Sequence, residues 1–335
     1  MRRSLLVLIT PALLAGCGSD ASETDAGTEP EPTTRVVESA YGEVEIPAEP
    51  QRIVADLMTV DYLTALGYDT DTIVGVFGLD FYADDETHYL RDELAREGLV
   101  DPGFAYDADL EAVAAADPDL ILLPFDQIDG AKGREKLAAI APLVAVPTSE
   151  EDADGGRYGG TASFQDWRGT LRSYGELLGR EDEADAFIAE TEDQIEQLRE
   201  EHADVIAATE VVQAKSTPEY VAINPIETDL AALGSILLGE LGFHEPAAVQ
   251  DAEVDEWGSV DVSQENTSLL DGDLLFLEVR EGSDRHESSP LWETLEVVQN
   301  DGVVTVGNHW QFGGAVGARE VLADIDATLT ELAGS

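Results

Sequence analysis

Aromatic and cationic side chains, with one methionine, recur at or within four residues of the ends of the short apolar runs of this chain. Met58 follows the run 52–55, Phe77 closes 73–77, and Phe125 follows 120–123. Lys215 follows 210–214, Arg280 follows 274–279, and His309 and Trp310 follow 303–306. If those runs are strands of an α/β sheet, these residues lie where such sheets bind ligands, beyond the carboxyl ends of the strands. Aromatic faces there would pack against an organic scaffold, and cations would pair with its oxygens. Lys215 stands out because lysine occurs only at 132, 136 and 215. Arg157 and Tyr158, between Gly155-Gly156 and Gly159-Gly160, are expected on the rim of such a site.

Other chemistries find little support. His88, His202, His244, His286 and His309 are isolated, with no two at helical ligand spacing, so no site of converging metal ligands is expected. There is no G-x-S-x-G elbow and no Walker loop. The run Gly313-Gly314-Ala315-Val316-Gly317 follows a strand candidate and opens a helix. No second strand follows to carry a ribose-binding acid, so it reads as a turn into the last helix. Acidic pairs are everywhere, and none marks an acid–base couple. The chain is expected to bind rather than catalyse, with no covalently bound cofactor.

Lysine and arginine number 18 against 71 aspartates and glutamates, a formal charge of −53 over 335 residues. Nucleic acid needs a basic surface and is excluded as a partner. Such a charge repels itself at low salt, so a halophilic setting is expected, where screening shortens the repulsion to a few ångströms. Arg2 and Arg3 precede a short apolar run that ends at Leu14-Ala15-Gly16-Cys17, and Cys17 is the only cysteine. The run is too short to span a bilayer and reads as a signal segment, 1–17. Its end resembles a bacterial lipobox, which implies lipidation of Cys17 and anchoring to the outer face of the cytoplasmic membrane. Export by the general or the twin-arginine route is left open. Residues 18–34 are polar, acidic and without apolar periodicity, as in a disordered tether.

These candidates need elements to position them. A hairpin is expected around Tyr41-Gly42. Strand candidates 52–55, 73–77, 120–123 and 143–146 then alternate with helices 60–66 and 110–116. Helices 164–178 and 181–202 follow, the second with Ala184, Phe187, Ile188, Thr191, Ile195 and Leu198 on one face. Alternation resumes with strands 210–214, 220–223, 274–279 and 303–306 and helices 230–241 and 318–332. The expected fold is α/β: two lobes with mainly parallel sheets, 35–180 and 205–335, joined by one long helix, 181–204. An internal echo supports two related lobes. Asp109, Glu111, Asp117 and Asp119 recur in register as Ser263, Glu265, Asp271 and Asp273, each time around a helix, a breaker and an apolar strand.

The ordered set of motifs resembles a known family. It comprises the lipobox, Ile46-Pro47-Ala48-Glu49-Pro50-Gln51-Arg52-Ile53-Val54, the segment 109–123, Leu178-Gly179-Arg180-Glu181, Trp257 through Glu265, Pro290-Leu291-Trp292 and the segment 306–310. Together they are similar to the solute-binding proteins of ABC importers for ferric siderophores, haem and cobalamin. Action as a monomer is expected, and limited lobe motion, since one continuous helix is a stiffer joint than crossing strands. The resemblance implies a ligand cleft between the lobes and a Fe(III)-siderophore complex as ligand. It strengthens Trp257 and Trp310 as ligand contacts. It also implies that Glu111 and Glu265 dock onto arginines of the membrane permease, although a glutamate in a first helical turn also complements the helix dipole. Haem or cobalamin as cargo, or a surface sensor or adhesion lipoprotein, are the alternatives.

Overall fold

The computed structural model describes residues 33–79, 88–125, 128, 130–146, 166–226, 232–255 and 258–334. Cys17, the signal segment, Arg157, Tyr158 and Trp257 lie outside the described residues. Strands β1 (Thr34–Ser39) and β2 (Gly42–Pro47) form the expected hairpin. It docks on the first lobe through the Ala40 N–H, which donates to the Ala145 carbonyl at 3.0 Å.

The first lobe is built on β3 (Ile53–Asp56), β4 (Ile73–Phe77), β5 (Leu120–Leu123) and β6 (Leu143–Ala145) in the order β4-β3-β5-β6. Every pairing is parallel. Both faces of the sheet are covered, so β5 reads Leu-Ile-Leu-Leu with every residue buried. The second lobe holds β7 (Val211–Ser216), β8 (Val221–Ile223), β9 (Val260–Val262), β10 (Leu274–Val279) and β11 (Val303–Val306), ordered β11-β10-β7-β8-β9. Here β7, β10 and β11 are parallel, while β8 runs antiparallel to β7 and to β9. The second sheet is thus mixed. The cause is the tight turn in which the Thr217 N–H donates to the Tyr220 carbonyl at 2.8 Å, since a parallel crossover needs a dozen residues or more.

Between the sheets lie helices Leu57–Ala65, Trp167–Leu178, Glu181–Glu201, Leu233–Leu241 and Ala315–Gly334. The long helix Glu181–Glu201 buries Ala184, Ile188, Thr191, Ile195 and Leu198 at alternating spacings of four and three. Glu181, Asp182 and Glu183 in its first turn and Arg199 in its last complement its dipole. The preceding helix ends at Gly179, whose φ of 68° lets the chain reverse into the long helix.

Alternation along each strand divides the interior. Leu120 and Leu122 face a core shared with the second lobe, while Ile121 and Leu123 face an outer cluster belonging to the first sheet. In β10, Leu274 and Phe276 face the shared core and Leu275 and Leu277 an outer cluster of their own. The shared core runs from Leu63, Trp167 and Tyr174 through Ile188 to Leu233, Trp310 and Leu322. Each side chain of that size stabilises by about 1.5–3 kcal/mol when buried, so separating the lobes would expose a costly surface. Arg168 adds a bidentate link to Glu240, at 2.9 and 3.0 Å, from the helix Trp167–Leu178 to the helix Leu233–Leu241. Among the described residues no helix is long and apolar enough to cross a membrane.

Candidate functional site

The carboxyl edge of the first sheet carries three features. Asp56 ends β3 and caps the next helix, its Oδ1 accepting from the Met58 N–H at 3.0 Å, and Met58 is partly exposed. Gly78 follows β4 at φ 79°, and its N–H donates to the Gly103 carbonyl at 2.9 Å. This brings in Phe104 and Tyr106, which stack at 5.3 Å with rings 7° apart and remain 44% and 54% exposed. A Cβ on Gly78 would come within 3.2 Å of the Phe104 ring. Sequence reading missed this pair because no strand precedes it directly; it reaches the edge by running alongside β4 through the bridge Gly75–Val100.

The second sheet ends in charge. Along β10, the residues facing the shared core change from Phe276 to Glu278 to Arg280, from apolar and buried to cationic and half-buried. Lys215 of β7 lies in register beside Glu278, so the two side chains share that face. Glu278 is 4% exposed and bonds the Arg280 Nε through Oε1 at 3.2 Å. Burial raises its pKa above the ordinary carboxylate range, against the opposing pull of Arg280 and Lys215. Burial likewise lowers that of the Lys215 ammonium. Lys215 lies 5.5 Å from the centre of the Tyr220 ring, and Arg280 5.6 Å from that of Phe312. Tyr220 is 43% exposed and Phe312 39%. Below them, Asn224 donates to Gln311 at 2.9 Å and Gln213 to the Trp310 carbonyl at 3.2 Å, which fixes the polar floor.

The two lobes meet around one buried carboxylate. Asp61, on the helix after β3, accepts the N–H groups of Gly314 at 3.1 Å, Val316 at 2.9 Å and Gly317 at 2.9 Å, and the Tyr89 hydroxyl at 3.0 Å. It therefore caps the last helix from the opposite lobe. The glycine run is this cap-receiving turn: a Cβ on Gly314 would approach Asp61 Oδ1 to 2.6 Å and Tyr62 Cζ to 2.8 Å. Tyr89 continues the junction to His309, ring centres 5.5 Å apart.

Several expected contacts occupy other places. Trp310 is fully buried, stacked on Phe276 at 4.5 Å against Gly234, with its Nε1 donating to Asp324 at 2.8 Å. It packs the shared core instead of presenting a face to a ligand. His309 is 7% exposed and shares the same Asp324 oxygen at 2.9 Å. Burial alone would raise the Asp324 pKa, but the His309 and Trp310 bonds outweigh it and hold it below the ordinary range. Phe77 and Phe125, 1% and 5% exposed, are buried, with Phe77 in the outer core of the first sheet. In each case a large apolar ring at a strand end finds more contact inward than outward. Lys215, Arg280 and Met58 do lie at the sheet edges. Among the described residues no group of three potential ligands could hold a metal ion.

Glu111 is exposed in the first turn of the helix Leu110–Ala115, whose cap Asp109 accepts from its N–H at 2.9 Å. That helix precedes β5 and runs against it, so Glu111 lies at the carboxyl edge of the first sheet. Glu265 is exposed three residues beyond β9, which is parallel to β7, and so lies at the carboxyl edge of the second. The symmetry is positional only. In place of the expected helix the second lobe has a single 3₁₀ turn, Thr267–Leu270, with Asn266 Oδ1 accepting from the Ser263 N–H.

Known proteins share this fold. The sequence matches the family described as periplasmic binding protein over residues 57–309, well over half of the chain. The iron(3+)-hydroxamate-binding protein YxeB of Bacillus subtilis is 23% identical, the match covering 89% of this chain and 85% of YxeB. The probable siderophore-binding lipoprotein YfiY of the same organism is 24% identical over 96% of this chain and 95% of its own length. Among solved structures, a FhuD-fold periplasmic binding protein component of a ferrichrome ABC transporter from B. subtilis superposes with a TM-score of 0.69 at 20% identity, covering 88% of this chain and 100% of that one. Two lobes joined by a long helix are the form of an extracytoplasmic solute binder, and the chain belongs to the periplasmic binding protein family.

Proposed function

We propose that this protein captures a ferric siderophore complex between the carboxyl edges of its two sheets and delivers it to an ABC permease. One observation carries the reading. Among the described residues all four exposed aromatic side chains, Phe104, Tyr106, Tyr220 and Phe312, lie at those edges. Aromatic rings left in water are costly unless a ligand covers them. Cations beside two of them suit the oxygen-rich periphery of an iron chelate. Trp257, expected from the sequence as a ligand contact, belongs to the same reading. Cys17 supplies a lipid anchor to the outer face of the membrane, and Glu111 and Glu265 dock the loaded protein onto the permease. The shared core and the Asp61 cap favour limited lobe motion.

The test is a tryptophan-fluorescence titration of the full-length protein in detergent at high salt, with ferric hydroxamate, ferric catecholate, ferric citrate, haem and cobalamin. Saturable quenching by a ferric complex but not by its iron-free chelator is expected. Saturation by haem or cobalamin alone would change the cargo, and no response from folded protein would overturn the reading.

A further inference from the structure

We infer that the second-lobe edge of the cleft is built to hold carboxylate groups of an anionic ferric complex, with Lys215 and Arg280 as paired contacts and Glu278 as the buried counter-charge that positions Arg280. The inference rests on the siderophore reading and narrows it to one ligand class.

Three observations meet here. First, carboxylates outnumber cations about four to one in this chain, 71 to 18, yet Lys215 forms no ion pair among the described residues. The charged groups that act on it are Glu278, Arg280 and Asp255, and none of them approaches within ion-pair distance. A half-buried ammonium without an anionic partner costs desolvation that a bound anion would offset. Second, Arg280 uses only Nε in its bond to Glu278, which leaves its two terminal nitrogens without a hydrogen bond among the described residues. Those nitrogens present the planar fork that receives both oxygens of one carboxylate. Third, Glu278 is buried with its Oε2 unpartnered. It is sealed beneath the cations, so it fixes the guanidinium by one bond and leaves the outer face positive. The Tyr220 and Phe312 rings limit where the two cations can swing. A neutral trihydroxamate complex would leave Lys215 without an anion and the Arg280 fork unused, whereas an α-hydroxycarboxylate complex engages both. The −53 charge of the chain opposes an anion only at long range, and salt removes that opposition.

The experiment measures the affinity of the full-length protein in detergent for ferric citrate, a ferric tris-catecholate and ferrichrome, with the variants Lys215→Gln, Lys215→Arg, Arg280→Gln and Glu278→Gln. Ferric citrate is expected to bind at least about tenfold more tightly than ferrichrome. Lys215→Gln and Arg280→Gln should each weaken ferric citrate by about 10- to 100-fold, the range of a charged hydrogen bond. Ferrichrome should change by less than about twofold, and Lys215→Arg should retain citrate binding. Glu278→Gln keeps an oxygen for Arg280 but removes the opposing charge, so it should tighten citrate. Tighter binding of ferrichrome or the catecholate, or citrate binding indifferent to both cation variants, overturns this inference and leaves the siderophore reading standing. Binding of none of the ferric complexes overturns both.

Discussion

The Asp61 carboxylate accepts the Gly317 N–H at 2.9 Å across 256 residues of sequence, and with Gly314 and Val316 it caps a helix of the other lobe. A helix start normally takes its cap from its own chain neighbours; here the cap is also the joint between lobes. Asp61→Asn turns one acceptor oxygen into a donor that faces N–H groups. Leaving buried donors unmatched costs about 3 kcal/mol. Urea unfolding followed by circular dichroism should show that loss. Gly314→Ala should destabilise comparably, because its Cβ would overlap Asp61 and Tyr62. Unchanged midpoints in both variants would remove Asp61 from the joint.

The same group gives a pH signature. Burial raises the Asp61 pKa above the ordinary carboxylate value, and the bonds from Gly317, Val316, Tyr89 and Gly314 only partly oppose this. A carboxyl with a raised folded pKa binds more protons when folded. Its contribution to stability is therefore fully present below the unfolded value of about 4 and is lost as pH rises through the folded value. Asparagine does not titrate. The stability advantage of wild type over Asp61→Asn, measured at fixed high salt, should shrink as pH rises from about 4. Growth of that advantage with pH would show that the ionised form is the one the fold prefers.

Most elements are legible from periodicity. Strands 73–77, 120–123, 274–279 and 303–306 coincide with β4, β5, β10 and β11, because short, largely apolar runs bounded by breakers mark strands even where, as in β11, an edge position leaves most of the run only partly buried. β9 escapes notice because Val260-Asp261-Val262 is too short to show alternation. The site is legible only in part. The strand-end rule picks Lys215 and Arg280, which lie partly buried at the sheet edge, and also Trp310 and Phe77, which are buried, since position along a strand does not tell which way a ring turns. Asp61 gives no local signal at all. Three of its four partners are backbone groups more than 250 residues away, the fourth is the Tyr89 hydroxyl, and nothing near it in sequence differs from any other acid in an acidic chain.

Phe104 and Tyr106 test the first-lobe half of the cleft. Both rings are about half exposed, so truncation removes little folding energy, and Phe104→Ala and Tyr106→Ala should change stability by no more than about 0.5 kcal/mol. Each ring lost from a ligand contact should weaken ferric complex binding several-fold, in line with about 1 kcal/mol of aromatic packing. Affinities unchanged in the double variant would place the ligand elsewhere.

Glu111 and Glu265 are exposed at the carboxyl edges of different sheets, so their roles can be separated from ligand binding. Glu111→Lys and Glu265→Lys should leave ligand affinity within about twofold and slow uptake of the iron complex by whole cells, with the double variant the more severe. Glu111→Lys also reverses a favourable helix-dipole interaction, worth about 0.3–1 kcal/mol, so its melting temperature should be read alongside. Normal uptake by a stable double variant would remove these glutamates from docking.

Salt should govern stability through a visible stripe of like charge. Glu192, Glu196 and Glu200 are exposed at successive four-residue intervals on the long helix. Arg168 pairs with Glu192 and Arg199 with Glu196, which leaves Glu200 to repel its neighbour. Like charges at this spacing destabilise by about 0.2–0.5 kcal/mol, and reversing one exchanges that cost for a gain of similar size. Glu200→Lys should therefore raise the melting temperature at 0.1 M NaCl. At 1 M, where the screening length falls from about 10 Å to about 3 Å, most of that difference should vanish while the wild-type temperature rises. An equal shift at both salt concentrations would mean that helix propensity, not charge, sets the effect.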